Sequence, residues 1–320
     1  MQPSPTRNAL TGRRRRKATD EIVLHAAPVL AIVLMVAVYA LFVGTTDGRE
    51  IDSVLARRDL EPGLAGLWFV VAALSFVLLS PIGVALALLG LLWQARRLGR
   101  RGDGIRAALM VVVAAVGARA LEAIVQLLDP VGGEAARQLG SGFYPSGHAA
   151  EAMALCLAAI IVLRGQRRRS LLLGGIWCSA HGFVIFATHS HHISDVLGGF
   201  LLGFAVAAMV GPRASSLRRR AERAEQKAIL LMPAGVVAAV LSAQLAREMA
   251  TSSLPPRAVL VTAAAGLCGA AFALVYTFVR LLHAAARQRT DQPREALLHR
   301  GRGKDLGLRA QGESRSREQS

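Results

Sequence analysis

The sequence predicts an all-α integral membrane protein, and three observations carry that reading. The chain of 320 residues is 53% hydrophobic and 18% charged, with a formal net charge of +17, and it combines a mean hydropathy of +0.42 with a pI near 11.4. The apolar residues fall in runs long enough to cross a hydrocarbon core. The basic residues fall in alternate connections between those runs, all on one side. A soluble enzyme would show more polar, periodic segments, and a disordered basic chain would lack the apolar runs. High pI often marks a nucleic-acid binder. Here the charge is split among short loops, which points to membrane topology and anionic-lipid contact and away from nucleic acid. The abundance of Arg over Lys, with much Ala, Leu and Gly, hints at a GC-rich bacterial genome.

Eight spans are predicted, at 22–43, 66–93, 107–128, 149–163, 171–188, 195–211, 228–246 and 258–282. The second contains Pro81 and is read as one kinked helix, because a hairpin would leave two pieces too short to span. Arg13, Arg14, Arg15, Arg16 and Lys17 precede the first span, and no small-residue cleavage site follows it, so no cleaved signal is expected. Cys156, Cys178 and Cys268 all lie in apolar runs, which argues against a disulfide framework or a thiolate zinc site. Trp68 and Trp93 bracket the second span as interfacial anchors.

The charges orient these spans. Lys and Arg number six in 7–17, five in 95–106, four in 164–169, six in 213–227 and ten from Arg280 onward, together 31 of the 38. These are the alternate connections, and arginine-rich loops stay in the cytoplasm. Both termini are therefore expected in the cytoplasm, with 44–65, 129–148, 189–194 and 247–257 outside, in the cell membrane. The expected organisation is a basic N-terminus (1–21), a six-span domain (22–212), a basic linker read as a surface helix on the inner leaflet (213–227), two further spans (228–283) and a disordered basic tail (284–320).

Two outward loops hold four of the eight histidines. One runs from Gly140 to His148 and opens the fourth span. The other runs from His189 to Asp195 and opens the sixth. A Pro-Ser-Gly turn before a helix presents unpaired backbone N–H groups, a cradle for an anion. His191 and Asp195 are four apart, so on a helical turn they share a face. The carboxylate can then orient the imidazole and raise the basicity of its other nitrogen, as suits a nucleophile or base. His148 can protonate a leaving oxygen.

Pro145-Ser146-Gly147-His148, followed by His191-x-x-x-Asp195-Val-Leu-Gly-Gly, resembles the type 2 phosphatidic acid phosphatase superfamily, which includes lipid phosphatases and vanadium haloperoxidases. The resemblance covers about residues 22–211. It implies a six-helix phosphatase-like bundle with its site at the extracytoplasmic end, here followed by two extra C-terminal transmembrane helices. It also implies His148 as general acid, the Ser146–Gly147 backbone as phosphate binder, His191 as the nucleophile that becomes a phosphohistidine, and Asp195 as its orienting carboxylate.

The sequence departs from the family pattern at every side-chain cation. The first motif, a Lys and, after six residues, Arg-Pro, falls on Glu122 and Asp129-Pro130. The third-motif arginine falls on Ile185. At about 4 Å and an effective dielectric of about 20, one unit charge pair is worth roughly 4 kcal/mol, so two reversed charges would defeat an ordinary phosphate site. Three resolutions stay open. Glu122 and Asp129 point away while Arg119, Arg137, His189 and His192 bind phosphate; or the carboxylates hold a divalent metal; or the site has lost its activity. No organic cofactor is expected. Arg119 and Glu122 are three apart and can pair with each other. Glu151 lies one turn past His148, and His181 lies four before Ile185; these two can also pair.

The expected activity is hydrolysis of a lipid phosphate or pyrophosphate, with isoprenoid pyrophosphate and phospholipid phosphates as candidates. The competing readings are a non-catalytic lipid- or partner-binding protein of the same fold, and a phosphotransferase. A transporter would need inverted repeats or paired broken helices, and neither is visible.

Overall fold

The computed structural model describes residues 26–56, 70, 73–128, 144–163, 167–188, 191–211, 222–252 and 258–282. Every regular element among them is helical. They are α1 (Ala26–Val43), α2 (Thr46–Ala56), α3 (73–78), α4 (Pro81–Arg97), α5 (Arg101–Leu128), α6 (Gly147–Leu163), α7 (Arg167–Ala187), α8 (Ile193–Val210), α9 (Glu222–Thr251) and α10 (Ala258–Leu282).

Six of these, α1, α5, α7, α8, α9 and α10, are long and apolar enough to cross a membrane, and α6 is a shorter apolar helix. The chain is thus a multi-pass membrane protein. At 1.5 Å per residue the 17 residues of α6 reach roughly 26 Å, close to the thickness of a hydrocarbon core. α6 packs most extensively on α5 and α8, and it is sheathed on nearly all sides, with Ala149, Ala152, Met153, Leu157 and Val162 fully buried. In the apolar stretch of α8, 83% of the residues are buried, against 22% in α5. α6 and α8 therefore form the centre of the bundle, while α5 turns most of its surface outward. A helix apolar all round belongs in such a centre.

Glycines let these helices close up. A Cβ on Gly199 would lie 2.4 Å from the Ser146 carbonyl oxygen, and one on Gly198 would enter the Tyr144 ring. Both glycines sit on the first turns of α8, so the turn carrying Ser146 can rest directly against α8's backbone.

The second predicted span is not one kinked helix. α3 ends in a tight turn, and Ser80 is extended (φ −63°, ψ 156°) and caps a new helix, its hydroxyl accepting from the Gly83 amide at 3.1 Å. Pro81 stands at the first position of α4, where its missing N–H costs nothing. The serine cap converts an expected kink into a stop and restart. Trp68 lies outside the described residues; Trp93 is exposed and carries the Arg97 guanidinium 4.6 Å above its ring.

The basic linker also differs from expectation. Its last six residues, 222–227, already belong to the continuous helix α9, so they extend a span and do not form a separate surface helix. The loop 44–65, expected only to be short of basic residues, carries α2. Its Ile51, Asp52 and Leu55 are buried. Arg247 of α9 bonds Glu50 of α2 at 2.7 Å.

The C-terminal pair packs into the bundle. Phe278 of α10 meets Phe204 of α8 edge-on, with centroids 6.4 Å apart. The ring of Phe272 fills the space a side chain at Gly175 of α7 would take. α9 and α10 meet through small residues, with Gly235 against Ala273 and Gly266 against Ser242 and Ala239.

Candidate active site

The two motif loops converge because one begins α6, the other begins α8, and those helices are close neighbours. The Ser146 amide donates to the Asp195 carbonyl oxygen at 2.9 Å, which ties one motif to the other through backbone. Ser146 is fully buried. Its hydroxyl caps α6 by accepting from the Ala149 amide at 3.3 Å. This corrects one expectation: Ser146 does not present its amide to an anion, because that amide holds Asp195. The anion cradle reduces to the next first-turn amides, of Gly147 and His148, which have no intrahelical acceptor. Arg119 lies over that turn, with its Cζ 3.6 Å from where a Cβ on Gly147 would stand.

His191 and Asp195 meet as the four-residue spacing predicts. Asp195 Oδ2 lies 3.4 Å from His191 Nδ1, and both side chains are largely buried. The same oxygen accepts from the His192 amide at 3.0 Å, which fixes the carboxylate at the first turn of α8, where the helix dipole favours a negative charge. With Nδ1 turned to the aspartate, Nε2 is the nitrogen His191 can offer to a substrate. His148 feels the charges of His191, Arg119 and Glu122, so the two histidines and this cation share one neighbourhood. Phe76 of α3 walls the His148 ring edge-on at 5.7 Å.

Arg119 and Glu122 pair at 3.0 Å, with the arginine side chain 62% exposed. Glu122 is therefore answered by a neighbouring cation on its own helix. Glu151 also feels Arg119. The expected Glu151–His181 pair does not form. His181 is buried, its Nδ1 2.9 Å from the Trp177 carbonyl oxygen and its ring against the Trp177 indole at 4.0 Å. Ile185 is buried in the core, so the position that bears the family's arginine is filled by packing. Asp129, Arg137 and His189 lie outside the described residues. Among the described residues no three His, Cys, Asp or Glu side chains gather to hold a metal ion.

Two residues that sequence reasoning missed stand behind the site. Tyr144 is buried and donates its hydroxyl to the Met35 carbonyl oxygen at 2.5 Å, tying the first motif loop to α1. Burial, then the nearby Asp195, pushes its phenol well above the usual value. Asp52 of α2 is buried and accepts from the Ser194 hydroxyl at 2.5 Å. Its other oxygen, Oδ1, is buried with no partner among the described residues. Burial pushes its carboxyl up to about 7; the nearby Asp195 adds to this, while His192 and the Ser194 hydrogen bonds pull the other way. The signal for Asp52 was weak: it is one of several acids, with Asp47, Glu50, Asp59 and Glu61, between the first two predicted spans.

Fold and site together define a helical membrane protein with a His–His–Asp constellation where two central helices begin. Residues 123–214 match the family model described as the PAP2 superfamily, so this segment is similar to that superfamily. The match takes in both histidine motifs, starts one residue after Glu122, and leaves α1–α4, α9 and α10 outside it. No curated protein and no solved structure matches the chain.

Proposed function

We propose that the protein is an integral-membrane phosphatase that hydrolyses a lipid phosphate or pyrophosphate at the extracytoplasmic face of the cell membrane. The observation that carries this reading is the His191–Asp195 contact at 3.4 Å with His148 in its electrostatic reach. His191 Nε2 attacks phosphorus and the bond to the lipid-side oxygen breaks. His148 gives its proton to that oxygen, and Asp195 stabilises the positive charge on His191. Water then attacks the phosphohistidine, with His148 accepting its proton, and inorganic phosphate leaves. Arg119 and the Gly147 and His148 amides supply positive potential for the phosphate, supplemented by His192 and, from outside the described residues, by Arg137 and His189.

A mostly apolar cavity of about 670 Å³ opens between α4, α6 and α7, but it includes none of the site residues and runs toward Leu163 and Arg169, at the end of α6 remote from His148. A lipid substrate is proposed here on the membrane setting of the site alone. The second reading, a binding protein without catalysis, is favoured by one observation: Arg119 is already engaged by Glu122, and Ile185 offers no charge.

The deciding experiment is phosphate release by detergent-purified protein from lipid phosphates and pyrophosphates, run with EDTA, with Mg²⁺ or Mn²⁺, and with His191→Ala. Metal-independent release that His191→Ala abolishes is the expected result. Release only with metal would point to a site rebuilt around Glu122, Asp129 and the histidines. No release under any condition would sink the phosphatase reading and favour the binding protein. Phosphate passed to an added alcohol in place of water would identify a transferase.

A further inference from the structure

We propose that Asp52 is a positioning residue for the His191–Asp195 pair, acting through Ser194 and His192, and that α9 holds it in place through the Arg247–Glu50 bond. Ser194 stands between His192 and Asp195 in the α8 cap turn. Its hydroxyl bonds Asp52 Oδ2 at 2.5 Å, and it is fully buried. Rotation of that turn would break this bond together with the His192 amide bond to Asp195 and the Ser146 bond to the Asp195 carbonyl. Three hydrogen bonds thus fix the turn that aims Asp195 at His191, and the one from Asp52 comes from outside the family match.

α2 also touches the C-terminal helices. α2 is short and amphipathic, and it carries Glu50 toward α9 and Asp52 toward α8. Arg247 grips Glu50 at 2.7 Å. Beside the direct packing of α10 on α7 and α8, α2, a helix of 11 residues, gives α9 a second route to the site, with the Arg247–Glu50 pair at one end and the Asp52–Ser194 hydrogen bond at the other. The charged and titratable groups around Asp52 are His192 and Asp195 on α8 and the Glu50–Arg247 pair at the α9 side. Tyr39 and Tyr144 lie beyond Asp195, their rings 5.3 Å apart. Asp52 and Asp195 are close enough to repel. Proton loss from Asp52 therefore adds negative charge beside the histidines and works against an incoming phosphate.

The inference rests on the phosphatase reading for its kinetic test, so the experiment includes a readout independent of turnover. Asp52→Asn keeps the shape and removes the charge. Its amide oxygen can still accept from Ser194, so it is expected to keep kcat at low pH and to remove the loss of activity that wild type shows as pH rises through about 7. Asp52→Ala, which leaves the Ser194 hydroxyl without its acceptor, is expected to lower kcat by about tenfold with little change in KM. Ser194→Ala should lower kcat in the same sense. Arg247→Glu should do so too, with recovery in the Glu50→Arg, Arg247→Glu double variant. In parallel, NMR titration of labelled imidazoles in detergent is expected to show the midpoint of His191 or His192 moving down in Asp52→Asn. If wild type releases phosphate but Asp52→Ala keeps its kcat, or Asp52→Asn keeps the wild-type pH profile, the proposal is overturned. If wild type releases none, the phosphatase reading fails by itself. The imidazole titrations then decide, and identical midpoints in wild type and Asp52→Asn would overturn the positioning role.

Discussion

The wall of the site formed by α6 and α8 differs sharply from the α5 rim that faces it. On the wall, Ser146, Ser194 and Asp195 are buried and hydrogen-bonded, and His191 is largely buried beside its carboxylate. On the rim, Arg119 is mostly exposed and is paired to Glu122, three residues along its own helix. The wall is over-determined by bonds from several helices, and substitutions there cost geometry. The rim is a solvated ion pair, and substitutions there change the field with little effect on the fold. The family resemblance follows the same division: the histidine motifs on the wall match, and the cation motif that begins on the rim does not.

The largest expected effect lies on the wall. His191→Ala should reduce phosphate release on the order of 10⁴-fold, measured as kcat/KM in detergent. His148→Ala should cost about 10²–10⁴-fold. The loss should shrink on an aryl phosphate whose leaving group needs no proton; an equal loss on both substrates would deny His148 the role of general acid.

Asp52 adds a pH signature to the fold. Its carboxyl is pushed from 3.8 to about 7 by burial, so the folded state holds this proton more tightly than the unfolded chain does. Its contribution is therefore complete below about pH 4 and is lost as pH rises through about 7. Thermal unfolding of Asp52→Asn across that window should lack a loss of up to about 4 kcal/mol present in wild type. Parallel curves would contradict the shift. Gly199→Ala places a methyl against the Ser146 carbonyl and should destabilise by about 1–3 kcal/mol, visible as a lower unfolding temperature together with reduced activity.

The smallest effect belongs to the rim. Glu122→Gln should change stability by no more than about 0.5 kcal/mol. It should nevertheless lower KM a few-fold, because it leaves Arg119 to the phosphate. An unchanged KM would mean that Arg119 takes no part in binding.

Much of this was readable in the chain. The apolar runs located seven of the eight spans as single helices, because twenty apolar residues without charges have few alternatives to a membrane helix. The second span was misjudged at Pro81, where the outcome depended on the Ser80 hydroxyl capping a fresh helix. His148, His191 and Asp195 were legible because their spacing and helix-start positions are local properties. The Arg119–Glu122 pair was legible for the same reason. Asp52 was not, since it lies 142 residues from the serine it bonds and nothing local marks it.

The sequence by itself determined the membrane class, the positions of most helices and the places of His148, His191 and Asp195 at helix starts, because hydropathy and short spacings act over a few turns of chain. Only the tertiary structure decided that the Ser146 amide holds Asp195, that Ile185 fills core, and that α9 reaches the site through α2. Those contacts join residues far apart in sequence, and they exist only once α6 and α8 have closed on one another through glycine.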